Sequence, residues 1–289
     1  MRGADTLDKL GRVKRCFPLS TSLRRQTLAL TVLCALLGLA ANASTRLLVT
    51  VVDRDTMAPV TDLKAADLRI TDGNRERSVE TVEKVSGPMD VALLVDSSSI
   101  GEIVQPAAAN IIEQLAQGDQ MSIVAFDSAA TVVQDFTSSK EALAQSLRNL
   151  KYGNNPHILD AVFAVIDGAF TDAGARPVVI LITPGLEAGS RVSESRLYRL
   201  AQRNEVSIYP LFVGGYKGMF QDLAERTGGI ALSLQDMARK TKQSPGEAVF
   251  GLIRNQYVVT ISGDLPLGDK AKVEMQRSGK YRIGFREGN

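Results

Sequence analysis

The sequence has 289 residues, of which 44% are apolar and 23% charged, so it can form a sizeable core and is neither disordered nor fibrous. Its 34 basic and 32 acidic residues give a formal charge of +2, but seven of the bases and two of the acids lie in residues 1–43. The remaining 27 bases and 30 acids give residues 44–289 a charge of −3, which argues against a nucleic-acid partner.

Residues 1–43 have the layout of a secretory signal peptide. A basic stretch over 12–25 precedes an uncharged apolar run over 28–40, and Ala41-Asn42-Ala43 supplies the small residues that a signal peptidase reads. We expect cleavage after Ala43, no membrane insertion afterwards, and a mature protein that is periplasmic or secreted. The alternative is a retained membrane anchor, for which the run has only the minimum length.

Residues 44–87 are predicted to form an N-terminal β-region. The dipeptide Asp72-Gly73 supplies the positive φ that a tight hairpin turn requires, and it separates two runs with strand-forming residues. The predicted elements are a strand over 45–53, one helical turn over 62–67 that Asp62 caps, and two hairpin strands over 68–71 and 78–83.

Residues 88–240 alternate strand and helix, which predicts an α/β fold. Its five predicted strands are short apolar runs over 89–95, 121–126, 131–136, 177–183 and 206–213. Its five predicted helices cover 103–115, 139–150, 159–170, 193–202 and 219–226. This succession predicts a Rossmann-like, mostly parallel sheet with helices on both faces.

Residues 241–289 are predicted to contain a helix over 246–253 and three alternating strands. The strands, over 256–262, 271–276 and 281–285, stand at hairpin spacing and predict a meander. Pairing of this C-terminal section with the N-terminal β-region would leave fewer exposed strand edges. We therefore expect one small β-domain that is formed by the strands of both chain ends.

Three segments resemble the von Willebrand factor A (VWFA) domain: Val-Ala-Leu-Leu-Val-Asp-Ser-Ser-Ser at 91–99, Asp-Ala at 160–161 and Val-Ile-Leu-Ile-Thr at 179–183. Segments 60–63, 67–73 and 253–259 are similar to the β-regions of VWFA-related proteins first catalogued as an acidobacterial family. The resemblance implies a protein that mediates protein–protein interaction or adhesion.

The resemblance also implies a metal-ion-dependent adhesion site, in which loop oxygens hold Mg²⁺ and leave one position for a partner's carboxylate. Asp96 and Ser98 match its first two ligands. Ile100, Pro156 and Pro184 stand at the other three positions and offer no side-chain oxygen. We therefore expect a degenerate site, no cofactor and no functional cation.

One alternative to a degenerate site remains open. Mg²⁺-dependent adhesion through Asp96 and Ser98 would need substitute oxygens, for which Ser97, Ser99, Asn155 and Glu187 are the candidates. In a degenerate site, Asp96 and Ser98 are instead expected to cap the helix that follows them.

Catalysis has little support in the residue inventory. Both cysteines, Cys16 and Cys34, lie in the leader, and His157 is the single histidine. No nucleophile elbow, phosphate loop or dinucleotide fingerprint is present, so a hydrolase is the weaker alternative and we expect no enzyme. The function expected by default is binding of another protein, and the residues expected to contact it are Ser99, Asn155, Glu187 and Tyr216.

Overall fold

The structure is a computed structural model that describes residues 44–170, 174–213, 218–263 and 271–288. The predicted signal peptide lies outside the described residues. The strands are β1 (Ser44–Asp53), β2 (Leu68–Asp72), β3 (Arg75–Arg77), β4 (Val79–Lys84), β5 (Met89–Asp96), β6 (Gln120–Phe126), β7 (Ala130–Thr137), β8 (Arg176–Thr183), β9 (Ser207–Phe212), β10 (Leu232–Ser233), β11 (Tyr257–Ser262), β12 (Ala271–Met275) and β13 (Tyr281–Gly288).

The α-helices of the described residues occupy seven segments. They are α1 (Gln105–Ile112), α2 (Lys140–Arg148), α3 (Ile158–Gly168), α4 (Glu194–Arg203), α5 (Met219–Arg226), α6 (Leu234–Lys240) and α7 (Pro245–Arg254). Within the described residues, every helix is too short or too polar to cross a lipid bilayer.

A six-stranded sheet forms the centre of the α/β part, in the order β10-β9-β8-β5-β6-β7. All of its paired strands are parallel except β7, which lies antiparallel to β6 at one edge. Every residue of β5 is buried, as expected for a continuous apolar run in the middle of a parallel sheet. The predicted mostly parallel sheet is confirmed.

Helices cover both faces of this sheet, and successive residues of β5 separate the two cores. Leu93 and Val95 pack with α1, α2 and α7, whereas Ala92 and Leu94 pack with α3, α4 and α5. Helix α7 therefore contributes to the α/β core, although it lies in the C-terminal section of the sequence.

The strands of both chain ends form two smaller sheets. A four-stranded sheet has the order β13-β1-β11-β4, and a three-stranded sheet has the order β12-β2-β3. The expected pairing of the two chain ends is confirmed. The predicted meander is wrong, because β11 and β13 lie on either side of β1 while β12 pairs with β2. Strand β1 buries Leu47, Val49 and Val51 completely, and it needs a neighbour on both sides.

The predicted hairpin is only partly correct. Gly73 has φ +59° and permits the turn, but β2 pairs with the short strand β3, while β4 joins the other sheet beside β11. The predicted helical turn is a single 3-10 turn at Ala65–Asp67. Asp67 accepts the cap hydrogen bond from the Lys64 N–H, whereas Asp62 binds Arg277.

The first predicted helix of the α/β part begins later than expected. A 3-10 turn at Gly101–Val104 precedes α1, and this turn points Ile103 to solvent with 60% of its surface exposed. Ile103 begins the predicted helix over 103–115, but it lies apart from the buried face of α1, on which Ile111 and Ile112 are buried. The tighter 3-10 winding changes the direction of side chains that precede the helix.

Candidate functional site

The carboxyl ends of β5, β6 and β8 meet at one edge of the large sheet, which we call the carboxyl edge. Asp96 is the last residue of β5, Asp127 follows β6, and Thr183 is the last residue of β8. Open α/β sheets bind ligands at this edge, because the loops that leave parallel strands converge there. The carboxyl edge is therefore the candidate functional site.

Asp96 is completely buried and both of its carboxylate oxygens accept hydrogen bonds from the protein. The Thr183 hydroxyl donates to Oδ2 over 2.7 Å, and the Ser98 N–H donates to Oδ1 over 2.9 Å. Thr183 Oγ1 in turn accepts the Gly185 N–H over 2.9 Å. Asp96 thus fastens the loop after β5 to the loop after β8.

The loop after β5 is tight. Gly101 approaches the Asp96 carbonyl oxygen so closely that a Cβ at this position would collide with it. The predicted helix capping by Asp96 and Ser98 is wrong, because the 3-10 turn begins after Ile100 and has no side-chain cap. The buried Ser98 hydroxyl has no hydrogen-bond partner among the described residues.

A second loop, before α3, binds the first through an asparagine. The Ser99 hydroxyl donates to the Asn154 carbonyl over 3.1 Å, and Asn154 Nδ2 donates to Asp127 Oδ2 over 2.8 Å. Although burial acts to raise it, the pKa of Asp127 is lowered, because Asn154 and the Ala129 N–H donate to its carboxylate. Asn155 is exposed.

Asp127 is a site residue that our sequence analysis missed. The signal was available, because Asp127 directly follows the apolar strand β6 just as Asp96 ends β5. An acid that follows a parallel strand lies at the carboxyl edge by topology alone.

Glu187 stabilises the N-terminus of α3. Its Oε2 accepts the N–H groups of Ile158 over 2.9 Å and Leu159 over 3.3 Å, while Oε1 accepts those of Gly189 and Ser190. A carboxylate at a helix N-terminus satisfies donors that have no partner within the helix. Both oxygens of Glu187 are therefore engaged inside the protein.

The residues present do not fit a five-ligand cation site. Pro156 is buried, Pro184 is half-buried, and Ile100 has 49% of its surface exposed, so three positions present carbon where a cation requires oxygen. No group of three or more His, Cys, Asp or Glu side chains within the described part of the chain is arranged to hold a metal. The unpartnered Ser98 hydroxyl is the feature that favours a ligand at this edge.

Three large apolar side chains are exposed in the loops that leave the carboxyl edge, and we call them the apolar rim. Ile100 and Ile103 follow β5, and Leu186, with 57% of its surface exposed, follows β8. Ser99 is also exposed here. Tyr216, the fourth expected contact residue, lies outside the described residues.

His157 stands at the N-cap of α3 and has no catalytic geometry in the described residues. Its Nδ1 lies 4.0 Å from Asp160 Oδ2, beyond hydrogen-bond distance, and its backbone N–H donates to the Asp127 carbonyl. The Asp160 carboxylate accepts the N–H groups of Arg191 and Val192. These contacts order the loops.

Comparison with known proteins gives a family model and several solved structures. The model of the von Willebrand factor type A domain matches residues 89–186, about a third of the chain. No curated protein matches the sequence.

The similar solved structures share little sequence with this chain. The VWA domain of SpRpn10 is 16% identical, with 57% of this chain and 94% of that chain covered and a TM-score of 0.43. Proximal thread matrix protein 1 from the mussel byssus, with a zinc-occupied MIDAS motif, is 18% identical over 66% of this chain and 50% of that chain, with a TM-score of 0.48. An aerotolerance-related membrane protein from Bacteroides fragilis is 12% identical over 59% and 98% of the two chains, with a TM-score of 0.44.

The matched segment runs from β5 through the loop after β8, and it includes Asp96, Thr183 and most of the carboxyl edge. Residues 89–186 of this chain are therefore similar to the von Willebrand factor type A domain.

Proposed function

We propose that the chain is an exported, non-catalytic protein that binds another protein through the carboxyl edge of its large sheet and without a cation. The observation that carries this proposal is the replacement of ligand oxygens by carbon. Ile100 occupies a ligand position and is half exposed, whereas Asp96 is buried and committed to Thr183 and Ser98.

The apolar rim supports a partner that presents an apolar surface. Ile100, Ile103 and Leu186 are large aliphatic side chains in loops, where exposure to water is unfavourable. All three stand in segments that follow strands at the carboxyl edge, and exposed apolar surface at such an edge is typical of an interaction site. Ser99 and Asn155 lie beside the rim and would contribute polar contacts.

Export and the absence of catalysis rest on the sequence. The leader over 1–43 has the composition of a signal peptide, and residues 44–289 contain no cysteine, so the mature protein needs no redox partner in an oxidising compartment. The single His157 lacks a hydrogen-bonded carboxylate partner. A triad built on this residue is therefore not proposed.

A capture experiment from the native cell envelope tests the proposal. The protein carrying Ile100→Glu and Leu186→Glu should capture about one tenth or less of the partner that the unmodified protein captures, because buried charges oppose an apolar contact. The matched control is Val133→Glu, which places the same charge on an exposed valine of β7. Capture by the unmodified protein and the control should survive EDTA.

The other outcomes of this experiment contradict the proposal. If the double variant captures as much partner as the unmodified protein does, the apolar rim is not part of the interface. Loss of capture in EDTA would favour the second candidate function, Mg²⁺-dependent adhesion at Asp96 and Ser98. The Ser98 hydroxyl, which has no partner among the described residues, supports this candidate. Absence of any captured protein would favour a structural component of the envelope.

A further inference from the structure

A groove of ≈ 930 Å³ lies away from the carboxyl edge, between α3 and the strands β6 and β7. Pro88, Gly118 and Ala175 border it just before the strands begin, so it opens at the amino-terminal edge of the sheet. The groove has the volume of a small-molecule site.

Small residues of α3 leave the room for this groove. Ala164 and Gly168 line the groove one helical turn apart, where larger side chains would fill the space. Val124, Val165 and Phe136 supply apolar walls, and the Phe136 ring lies 6.0 Å from that of Phe170.

Two polar groups with unmet hydrogen-bonding capacity line the same groove. Asp90 is 9% exposed, and its Oδ2 accepts the Ala175 N–H over 3.1 Å, but no cation pairs with it within the described residues. Ser122 is 2% exposed, and its hydroxyl has no partner there. Buried polar groups of native proteins are normally satisfied, so two together favour this groove as a site for a polar ligand.

The sheet register brings these two groups together. Asp90 pairs with Gln120 and Ala92 pairs with Ser122 across the parallel strands β5 and β6. Side chains two residues apart on a strand share a face, so Asp90 and Ser122 are diagonal neighbours on the face that α3 covers.

The charge of the groove selects its ligand. Asp90 and the exposed Asp135 are acidic, and none of the described residues that line the groove is Lys or Arg. An anionic ligand would be repelled, whereas an ammonium group has three donors and would neutralise the buried carboxylate. We propose that this groove binds an organic ammonium group on an apolar stem. The ammonium donates to Asp90 and Ser122, and the stem lies against Val165 and Phe136.

This proposal is independent of the proposed function at the carboxyl edge. The ammonium would come from a free amine or from a lysine side chain of another protein. Both sources have the same chemistry, and two probes distinguish them: n-pentylamine, and Nα-acetyl-lysine methylamide, which carries the ammonium on a peptide unit.

The experiment is an NMR titration of the full chain at neutral pH. The n-pentylamine probe should shift the amide signals of Gly118, Gly168 and Ala175 in a saturable manner. Neutral 1-pentanol and anionic pentanoate should bind at least about tenfold more weakly, because neither carries a positive charge. Tighter binding of the lysine derivative assigns the site to a protein lysine, and its exclusion assigns the site to a free amine.

Two variants and a control complete the titration. Asp90→Asn keeps an acceptor for the Ala175 N–H but removes the charge, and it should weaken amine binding at least about tenfold. Ser122→Ala should weaken it by a smaller factor. Glu113→Gln, an exposed carboxylate at the end of α1, should leave it unchanged.

Three results would overturn the proposal. One is the absence of saturable shifts with either amine. Another is equal binding of pentylamine and pentanol by the unmodified protein, a comparison that does not depend on any variant folding. The third is an unchanged affinity of a folded Asp90→Asn protein.

Discussion

At the scale of single residues, Asp96 illustrates how a ligand position of a VWFA domain takes part in loop structure. Its two oxygens receive hydrogen bonds from Thr183 and from the Ser98 backbone, and these bonds hold two strand-end loops together. A hydrogen bond to a charged group contributes about 1.5–3 kcal/mol. A cation would have to compete with these donors, and Ile100 and Pro184 provide no replacement oxygen.

The residue-scale prediction concerns cation binding. The unmodified protein should show no melting shift in millimolar Mg²⁺ or Mn²⁺. A cation at a hundred times its dissociation constant would add about 2.7 kcal/mol to the free energy of unfolding, a shift of several degrees that a thermal melt detects.

The matched variant rebuilds the ligand set through Ile100→Ser, Pro156→Thr and Pro184→Asp. This protein should gain the cation-dependent melting shift, because all five ligand positions then carry oxygen. A strong shift in the unmodified protein that Asp96→Ala abolishes would show that other oxygens complete the site, and it would replace the metal-free proposal.

At the scale of elements, a buried polar network joins the four-stranded sheet to the large sheet. The hydroxyls of Tyr209 on β9 and Thr50 on β1 lie 3.3 Å apart. Gln256 Nε2 donates to Thr50 Oγ1 over 2.9 Å, and Gln256 Oε1 accepts from Arg176. The network fixes how β1 faces β9, since each member loses its partner when the sheets separate.

This network makes the free energy of unfolding decrease at alkaline pH. Burial raises the pKa of Tyr209 to about 12, although the Thr50 hydroxyl acts in the opposite direction. The unfolded chain, in which tyrosine titrates near 10.0, loses this proton first. The raised pKa of Tyr209 therefore contributes roughly 2–3 kcal/mol to the free energy of unfolding. This contribution is complete below about pH 10 and is lost as the pH rises to about 12.

The measurement is the denaturant midpoint between pH 9 and 12 for the unmodified protein and for Tyr209→Phe. The variant should be less stable at neutral pH, because Thr50 loses a partner, and it should lose less stability as the pH rises. Tyr281→Phe, a tyrosine at the start of β13 that is not deeply buried, is the control and should follow the unmodified protein. Parallel curves for Tyr209→Phe and the unmodified protein would contradict this account.

Helix α7 shows that an element can belong to a different core from its neighbours in the sequence. The Asn110 side chain on α1 accepts the Gly246 N–H over 2.7 Å, and a Cβ on Gly246 would meet the Asn110 backbone oxygen. At the other end of α7, Arg254 binds the Asp119 carboxylate over 3.0 Å. The close approach needs glycine, and it places the apolar face of α7 on the large sheet.

At the scale of the whole molecule, strands from the two ends of the described chain pair with each other in one sheet. Strand β1 at the start of the described chain is paired on one side by β11 and on the other by β13, near its end. Both edges of β1 are therefore covered by strands that are more than 200 residues distant in sequence. Unpaired edges beside buried apolar side chains favour aggregation.

Removal of residues 256–289 should therefore cause aggregation. The truncated chain would lose β11, β12 and β13 and would expose Leu47, Val49 and Val51, which are fully buried. Size-exclusion chromatography with light scattering measures the result. A chain that ends at Gly288 keeps all of β13 and serves as the control. A soluble, monomeric chain that ends at Asn255 would contradict the shared sheet.

Sequence alone is enough to predict the α/β class, most of the strands and helices in their order, and the absence of a side-chain oxygen at Ile100, Pro156 and Pro184. These features follow from local periodicity, turn residues and side-chain chemistry, which the sequence displays directly. The tertiary structure alone decided the pairing of β1, the capping of α3 by Glu187, and the meeting of Asp90 with Ser122. Each of these depends on contacts between distant segments, for which an alternating apolar pattern specifies a buried face but no partner.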